Sequence, residues 1–202
     1  MALVAASIGA LSPAETASRA CRPAGAKVLL ASSEGTLYKA GKSRKTTRYV
    51  VCRARRSKPL VLGGAECFDA EAPSMFVISG RWLGYVYLTC SLMSGSEVVV
   101  VVDLRTGRRQ EWGISDTPAA LADPYDTVEA LAVAQSGAAA WIMSYAIGDD
   151  KRRMYEVRAT DAGRRAGILL DAGPDVAPDS LAVGSGIVYW TRGGTPRSRP
   201  LR

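Results

Sequence analysis

Histidine is absent from this 202-residue chain, and its absence narrows the chemistry that the side chains could perform. Ser-His-Asp and Cys-His mechanisms both need an imidazole base, and imidazole is also the commonest neutral metal ligand. The loop carboxylates occur in loose groups: Asp116, Asp123, Asp126, Asp149, Asp150, Asp171, Asp175 and Asp179. None of these groups has the close, regular spacing around a Gly that a calcium loop needs, and Asp in loops commonly bonds nearby backbone amides. The sequence therefore predicts a protein that is not an enzyme and has no metal or cofactor.

Arginine and tryptophan are the side chains that could bind a ligand. The net charge of +7 comes mostly from arginine, spread over residues 39–58, 105–109, 151–165 and 192–202. Because these residues are not interleaved with aromatic side chains on one element, nucleic acid is not the expected partner. The candidate ligand-binding residues are Trp82, Trp112, Arg108, Arg109, Arg164 and Arg165. The alternatives are solvated loop charge for the arginines and packing between neighbouring units for the tryptophans.

The four cysteines lie in the N-terminal half of the chain, at Cys21, Cys52, Cys67 and Cys90. They are spaced too widely for the Cys-x-x-Cys motif of zinc and redox sites, and an even number in an exported chain indicates disulfides. Of the possible connectivities we favour Cys21–Cys52 with Cys67–Cys90, because each bond would join the start of a unit to a strand within it. The alternative is a cytosolic protein with buried free thiols.

The N-terminal segment 1–20 is similar to a secretory signal. Residues 2–11 form an apolar run, and Ser18 and Ala20 fit the small-x-small pattern of a cleavage site, although the usual positive charge before the run is missing. The run is too short to cross a bilayer as a helix. We therefore expect a signal-like or disordered segment at 1–20, one domain at 21–202, and a secreted or cell-surface location.

Short strands that recur at a period of roughly fifty residues must position these side chains. Residues 131–141 reappear as residues 181–190, each as a strand, a tight turn and a strand ending on Trp. The run of five valines at 98–102 is typical of a strand buried on both faces. The pattern predicts an all-β, propeller-like array of about four antiparallel sheet units. The last unit has only two predicted strands, which leaves a free sheet edge at residues 187–191.

Residues 75–112 show the most complete unit. A first strand ends at Ser79-Gly80, where the first unit has Ser-x-Gly at residues 33–35. A second strand contains aromatic residues, a third follows, and an Asp-x-x-Thr-Gly hairpin leads into a fourth. This layout resembles the blades of TolB-like and WD40-like β-propellers. The stretch Tyr189-Trp190-Thr191-Arg192-Gly193-Gly194 is similar to an exit hairpin of uncharacterised secreted actinobacterial propeller proteins. The resemblance covers residues 26–194 and implies a small or incomplete propeller without implying a particular activity.

These observations together predict an exported, non-enzymatic domain that binds a protein or a glycan. Two alternatives remain: an accessory domain or fragment of a larger hydrolase, and a polyanion-binding protein that uses the arginines of its hairpin tips. The free edge of the last unit would pair with the N-terminal segment, which we favour, or with a second chain in an oligomer.

Overall fold

The computed structural model describes residues 21–43, 46–62, 73–90, 95–114, 126–148, 152–160 and 167–201. Every secondary-structure element within these ranges is a β-strand, and the strands form four antiparallel sheets. The predicted all-β class and the four-sheet organisation are therefore confirmed.

Strand order follows chain order in each sheet, so each strand pairs with the strands before and after it in its unit. Unit 1 contains β1 (Lys27–Ser32), β2 (Gly35–Ser43), β3 (Thr46–Arg53) and β4 (Leu60–Leu62). Unit 2 contains β5 (Ser74–Ser79), β6 (Trp82–Cys90), β7 (Gly95–Asp103) and β8 (Arg109–Gly113). Unit 3 contains β9 (Thr127–Val133), β10 (Ala139–Ile147), β11 (Arg152–Ala159) and β12 (Ile168–Gly173). Unit 4 contains β13 (Ala182–Gly184), β14 (Ile187–Arg192) and β15 (Thr195–Pro200).

The central strand β7 is apolar on both faces because a sheet packs against each of them. Val98, Val100 and Val102 pack with residues of unit 1, whereas Val99 and Val101 pack with residues of unit 3. The exposed fraction is 9% for Val98 and 0% for the other four valines. The valine run is therefore a strand buried on both faces, as predicted, and each such side chain contributes roughly 1.5–3 kcal/mol of hydrophobic stabilisation.

The packed region between the sheets of two successive units is called a seam below and is numbered by those units, so that seam 2–3 lies between units 2 and 3. Seam 2–3 is narrow at the turn between β9 and β10, where Gly137 has a φ of +93°. A Cβ atom at Gly137 would lie 2.6 Å from the ring of Trp82. Only glycine suits both this backbone conformation and this approach, which lets the indole of unit 2 pack directly on unit 3.

The first strand of each unit lies beside the first strand of the next, from β1 through β5 and β9 to β13. The sheets thus fan out from a shared inner line, as propeller blades do, but the array does not close into a ring. Unit 1 and unit 4 are its two ends.

Unit 4 has one strand more than the sequence pattern predicts. β15 pairs with β14 through a tight hairpin at Gly193 and Gly194, whose φ values are +53° and +75°. The predicted free edge at 187–191 is wrong, because β14 is paired on both sides and β15 forms the edge. All six residues of β15 are exposed, so no apolar alternation marks this strand in the sequence, and proline is tolerated at a sheet edge. The N-terminal segment 1–20 lies outside the described residues, and its pairing with unit 4 stays a prediction.

Candidate ligand-binding surface

The turns that follow the first and third strands of the units lie together at one end of the array. In an antiparallel sheet the turn after the first strand and the turn after the third lie at the same end. This end, called the turn end below, contains residues 33–34, 54–59, 80–81, 104–108, 134–138 and 185–186. Backbone hydrogen bonds join the two turns within a unit: the Ala54 amide donates to the Glu34 carbonyl at 2.9 Å, and the Leu104 amide to the Arg81 carbonyl at 2.8 Å. The turn end is therefore built from turns that support one another.

A cleft of about 410 Å³ opens at the turn end where the first turns of units 2, 3 and 4 meet. It is called the central cleft below. Its lining consists of Ser79, Val133, Ala134, Gln135, Ser136, Val183, Gly184, Ser185, Gly186 and Leu201. The Leu201 amide donates to the Gly186 carbonyl at 2.7 Å, so the end of β15 closes one wall. The lining carries hydroxyl, amide and backbone groups beside small apolar side chains and no charge, which suits a neutral polar ligand.

A second cleft of about 250 Å³ lies at the turn end between units 1 and 2. It is called the basic cleft below and is lined by Glu34, Arg55, Arg56, Leu104 and Arg105. The Glu34 carboxylate accepts from Nη2 of Arg105 at 2.6 Å and from Nε at 3.0 Å. These hydrogen bonds from Arg105 outweigh the cost of burial and hold the pKa of Glu34 below its ordinary value. The ion pair fixes Arg105 across the seam.

The opposite side of the array contains a compact polar network in seam 3–4. The Asp171 carboxylate accepts from the indole N–H of Trp190 at 2.8 Å and from Nη1 of Arg192 at 2.6 Å, and Arg192 also donates to Asp175 at 3.1 Å. Burial opposes ionisation of Asp171, yet the hydrogen bonds from Trp190, Arg192 and the Ala172 amide outweigh it and keep the pKa below its ordinary value. The two carboxylates balance the single arginine, so the network joins units 3 and 4 and leaves no cation for a ligand.

The four tryptophans lie inside the seams. The exposed fraction is 9% for Trp82, 3% for Trp112, 1% for Trp141 and 6% for Trp190. The Trp82 indole N–H donates to the Gln135 carbonyl at 3.0 Å, and the rings of Trp112 and Trp141 are 6.3 Å apart between their centroids. Packing between neighbouring units is thus the contact that the structure gives these rings. Ligand contact by Trp82 and Trp112 stays a prediction, and neither ring offers a broad exposed face for it.

The predicted arginine sites fall in different settings. Arg108 is exposed in the turn between β7 and β8. Arg109 forms an ion pair with Glu111 at 3.0 Å and lies over the ring of Tyr85. Arg164 and Arg165 lie outside the described residues. Ligand binding by this set stays a prediction.

The structure brings Cys21 and Cys52 together as a disulfide, with their Cα atoms 5.6 Å apart. This agrees with the first predicted pair. Cys67 lies outside the described residues, so the pairing of Cys67 with Cys90 stays a prediction. Among the residues that the structure describes, no group of three or more Cys, Asp or Glu side chains is placed to hold a metal ion.

Sequence reasoning did not single out the residues that line the two clefts. Ser79, Gln135 and Ser185 have the residue types of ordinary turns. Arg55 and Arg56 belong to the basic segment 39–58, but Arg105, which faces them, is about fifty residues away in the chain. The period of the units was the signal that could have aligned these turns, because it places equivalent turns of neighbouring units side by side.

The chain is of the all-β class and has a propeller-like array of four antiparallel sheets. No family model matches it, and neither a curated protein nor a solved structure does. Within the described parts of the chain, no helix has the length and apolar character needed to cross a membrane.

Proposed function

We propose that this chain is an exported, non-enzymatic binding module of the β-propeller-like kind, which recognises a partner protein by taking an uncharged loop of it into the central cleft. The observation that supports this proposal is the composition of the cleft. Its volume of about 410 Å³ falls within the usual range for binding sites, and its lining combines small apolar side chains with hydroxyl, amide and backbone groups.

A polypeptide suits this lining better than a sugar. Sugar rings usually stack on an exposed aromatic face, and no aromatic side chain is among the ten lining residues. A peptide loop instead needs backbone hydrogen-bond partners and shallow apolar contacts, which the turns around Gln135 and Ser185 supply. The turns are held by seam contacts such as the hydrogen bond from Trp82 to Gln135, so the cleft is formed before binding, which lowers the entropic cost of binding.

The test fills the cleft without disturbing the fold. Gln135 lines the cleft, is exposed and has no positive φ, and its backbone carbonyl rather than its side chain accepts from Trp82, so Gln135→Trp should obstruct the cleft without backbone strain. Ala182→Trp is the control, because Ala182 is also exposed but lies outside the lining and, as the partner of Tyr189, on the outer face of unit 4. Peptides are selected from a displayed random library on the unmodified protein, and their affinities for both variants are measured by fluorescence anisotropy.

We expect the selected peptides to bind Gln135→Trp at least about tenfold more weakly than the unmodified protein, and Ala182→Trp with unchanged affinity. Equal affinity for all three proteins would place the binding site elsewhere and contradict the proposal. A neutral-glycan array run with the same three proteins provides the second arm. Glycan binding that Gln135→Trp abolishes would show that the ligand class is carbohydrate and would contradict the choice of a polypeptide.

A further inference from the structure

The basic cleft has more positive charge than the described residues around it neutralise. Three of its five lining residues are arginines and one is a carboxylate, Glu34. Glu34 is already engaged by Arg105. Arg55 and Arg56 are exposed. Arg55 is close enough to Glu34 to help lower the pKa of that carboxyl, but within the described ranges neither arginine forms an ion pair with a carboxylate. At least two cationic groups at this concave place are thus available to a ligand.

Arg53 adds a further guanidinium beside the cleft. Its Nε atom is buried and has no hydrogen-bond partner within the described structure. Its Nη1 atom lies close to the backbone of Gly107, where a Cβ atom would come within 2.7 Å of it. A side chain at 107 would displace this guanidinium, so glycine keeps a cationic group against the turn that contains Arg105.

The shape of the cleft and the types of its residues favour one kind of ligand. Guanidinium groups bind planar or tetrahedral oxyanions through paired, charge-assisted hydrogen bonds. The volume of about 250 Å³ suits a single oxyanion group and its point of attachment. No aromatic side chain lines the cleft, so nucleic-acid bases would have no surface for stacking.

We propose that the basic cleft is an oxyanion site that binds the sulfate or phosphate group of an acidic polysaccharide through Arg55, Arg56 and Arg105. Arg105 is held in place by Glu34, and the two exposed arginines approach the group from unit 1. This site is separate from the central cleft and does not depend on the function proposed for it. Seam 1–2, which contains the basic cleft, therefore differs from seam 3–4, where Asp171 and Asp175 already neutralise Arg192.

The test compares two double variants that lose the same charge. Arg55→Gln with Arg56→Gln removes two cations from the basic cleft. Arg197→Gln with Arg199→Gln removes two exposed arginines from β15, away from the basic cleft. Binding to dextran sulfate, with uncharged dextran as the polymer control, is measured by titration calorimetry over a series of salt concentrations. Arg105→Gln serves as a third variant should the double variant fold poorly, which circular dichroism would show.

We expect the unmodified protein to bind dextran sulfate and not dextran. The cleft variant should bind at least about tenfold more weakly at low salt, and its plot of log affinity against log salt should be shallower by about 1.5–2, as for the loss of two ionic contacts. The β15 variant should lose less than about threefold. Equal losses in both double variants would mean attraction by net charge alone, and absence of binding to dextran sulfate would overturn the site.

Two further probes identify the source of the oxyanion. Inorganic sulfate and phosphate are titrated alone, and single-stranded poly(U) RNA is titrated under the same conditions. Millimolar or weaker binding of the free ions, lost in the cleft variant, supports an ester group on a polymer as the ligand. Free-ion binding as tight as that of the polymer, per sulfate group, or stronger binding of poly(U) than of dextran sulfate, would overturn the polysaccharide assignment.

Discussion

Unit 1 and unit 4 end the array in different ways. Part of the outer face of unit 1 is covered by the segment from Cys21 to Ala26, which buries Tyr38 and Cys52 beneath it, whereas Val28 and Val61 on the same face are 44% and 40% exposed. The outer face of unit 4 has no such cover within the described chain, and Tyr189 on that face is 42% exposed. A terminal sheet can therefore be stabilised by a disulfide-linked segment on its outer face, which for unit 1 is residues 21–26 and is called the clasp below. Without such a segment, its stability depends on the contacts of its inner face.

The inner face of unit 4 is accordingly rich in contacts. Val188 and Trp190 pack into seam 3–4, and the Trp190 indole and Arg192 both donate to Asp171. The Ala177 amide also donates to the Thr191 carbonyl at 2.9 Å. Because partly buried hydrogen bonds to an ionised group are stronger than the same number of fully exposed ones, this network helps to hold unit 4 against unit 3 without an outer cover.

Removing the clasp of unit 1 is expected to have the largest effect on stability. The disulfide closes a loop with a sequence separation of 31 residues, for which loss of the bond costs about 3–4 kcal/mol in the chain-entropy description. Cys21→Ala with Cys52→Ala should therefore lower the free energy of unfolding by this amount, measured by urea denaturation. An unchanged urea midpoint would show that the clasp does not stabilise unit 1 and would remove the contrast with unit 4.

Truncating one tyrosine on each outer face compares the two ends directly. Tyr38 is 5% exposed and Tyr189 is 42% exposed. Tyr38→Ala should cost about 3 kcal/mol, because it opens a cavity under the covering segment, whereas Tyr189→Ala should cost under about 1 kcal/mol. Both costs are calculated from the shift of the urea midpoint, provided that the m value, the dependence of the unfolding free energy on urea concentration, is unchanged. Similar costs for the two substitutions would mean that a further segment of the chain or a second copy covers unit 4 in solution.

The fold was largely predictable from the sequence because its signal is local. The valine run of β7 and the paired strand-turn-strand stretches each reflect burial against neighbouring sheets, which constrains residue types within a single strand. β15 was not predicted because burial places no constraint on its residue types. Its residues face solvent, and its two prolines reduce the strand signal, so only the hairpin at Gly193 and Gly194 marks it.

Neither cleft could be predicted from single residues, because each is formed by turns of different units, and only the period of the units places those turns side by side. Glu34 and Arg105 are 71 residues apart in the chain yet form an ion pair at 2.6 Å. Spacing along the sequence identified neither partner. In the same way, tryptophan as a residue type indicates a possible ligand contact, but packing between the sheets places these rings in the interior.

Weakening the polar network of seam 3–4 is expected to have a smaller effect than removing the clasp. Asp171→Asn keeps the shape of the side chain but removes the charge that the Trp190 indole and Arg192 share. The expected cost is about 1.5 kcal/mol, seen as a lower urea midpoint and faster amide hydrogen exchange in β14. Asp175→Asn is the control, because the Asp175 side chain is 47% exposed and pairs with Arg192 but, among the described residues, not with the Trp190 indole. Equal effects of the two substitutions would indicate that the lower exposure of Asp171 does not increase the contribution of its hydrogen bonds to stability.

Acid should weaken the two seams to different extents, and this is the smallest of the expected effects. Asp171 and Glu34 both have a pKa held below the ordinary values of 3.8 and 4.5, so the folded state binds fewer protons than the unfolded state does as the pH falls past these values. Their contribution is complete above pH 4.5 and is lost as the pH falls through their lowered pKa values. Asp171→Asn should flatten the acid limb of a plot of stability against pH more than Glu34→Gln, because Asp171 is held by Trp190 and Arg192 together, while Glu34 is held mainly by Arg105, whose side chain is 57% exposed. A stronger flattening by Glu34→Gln would mean that the basic cleft, rather than the network of unit 4, is the more firmly bonded of the two regions.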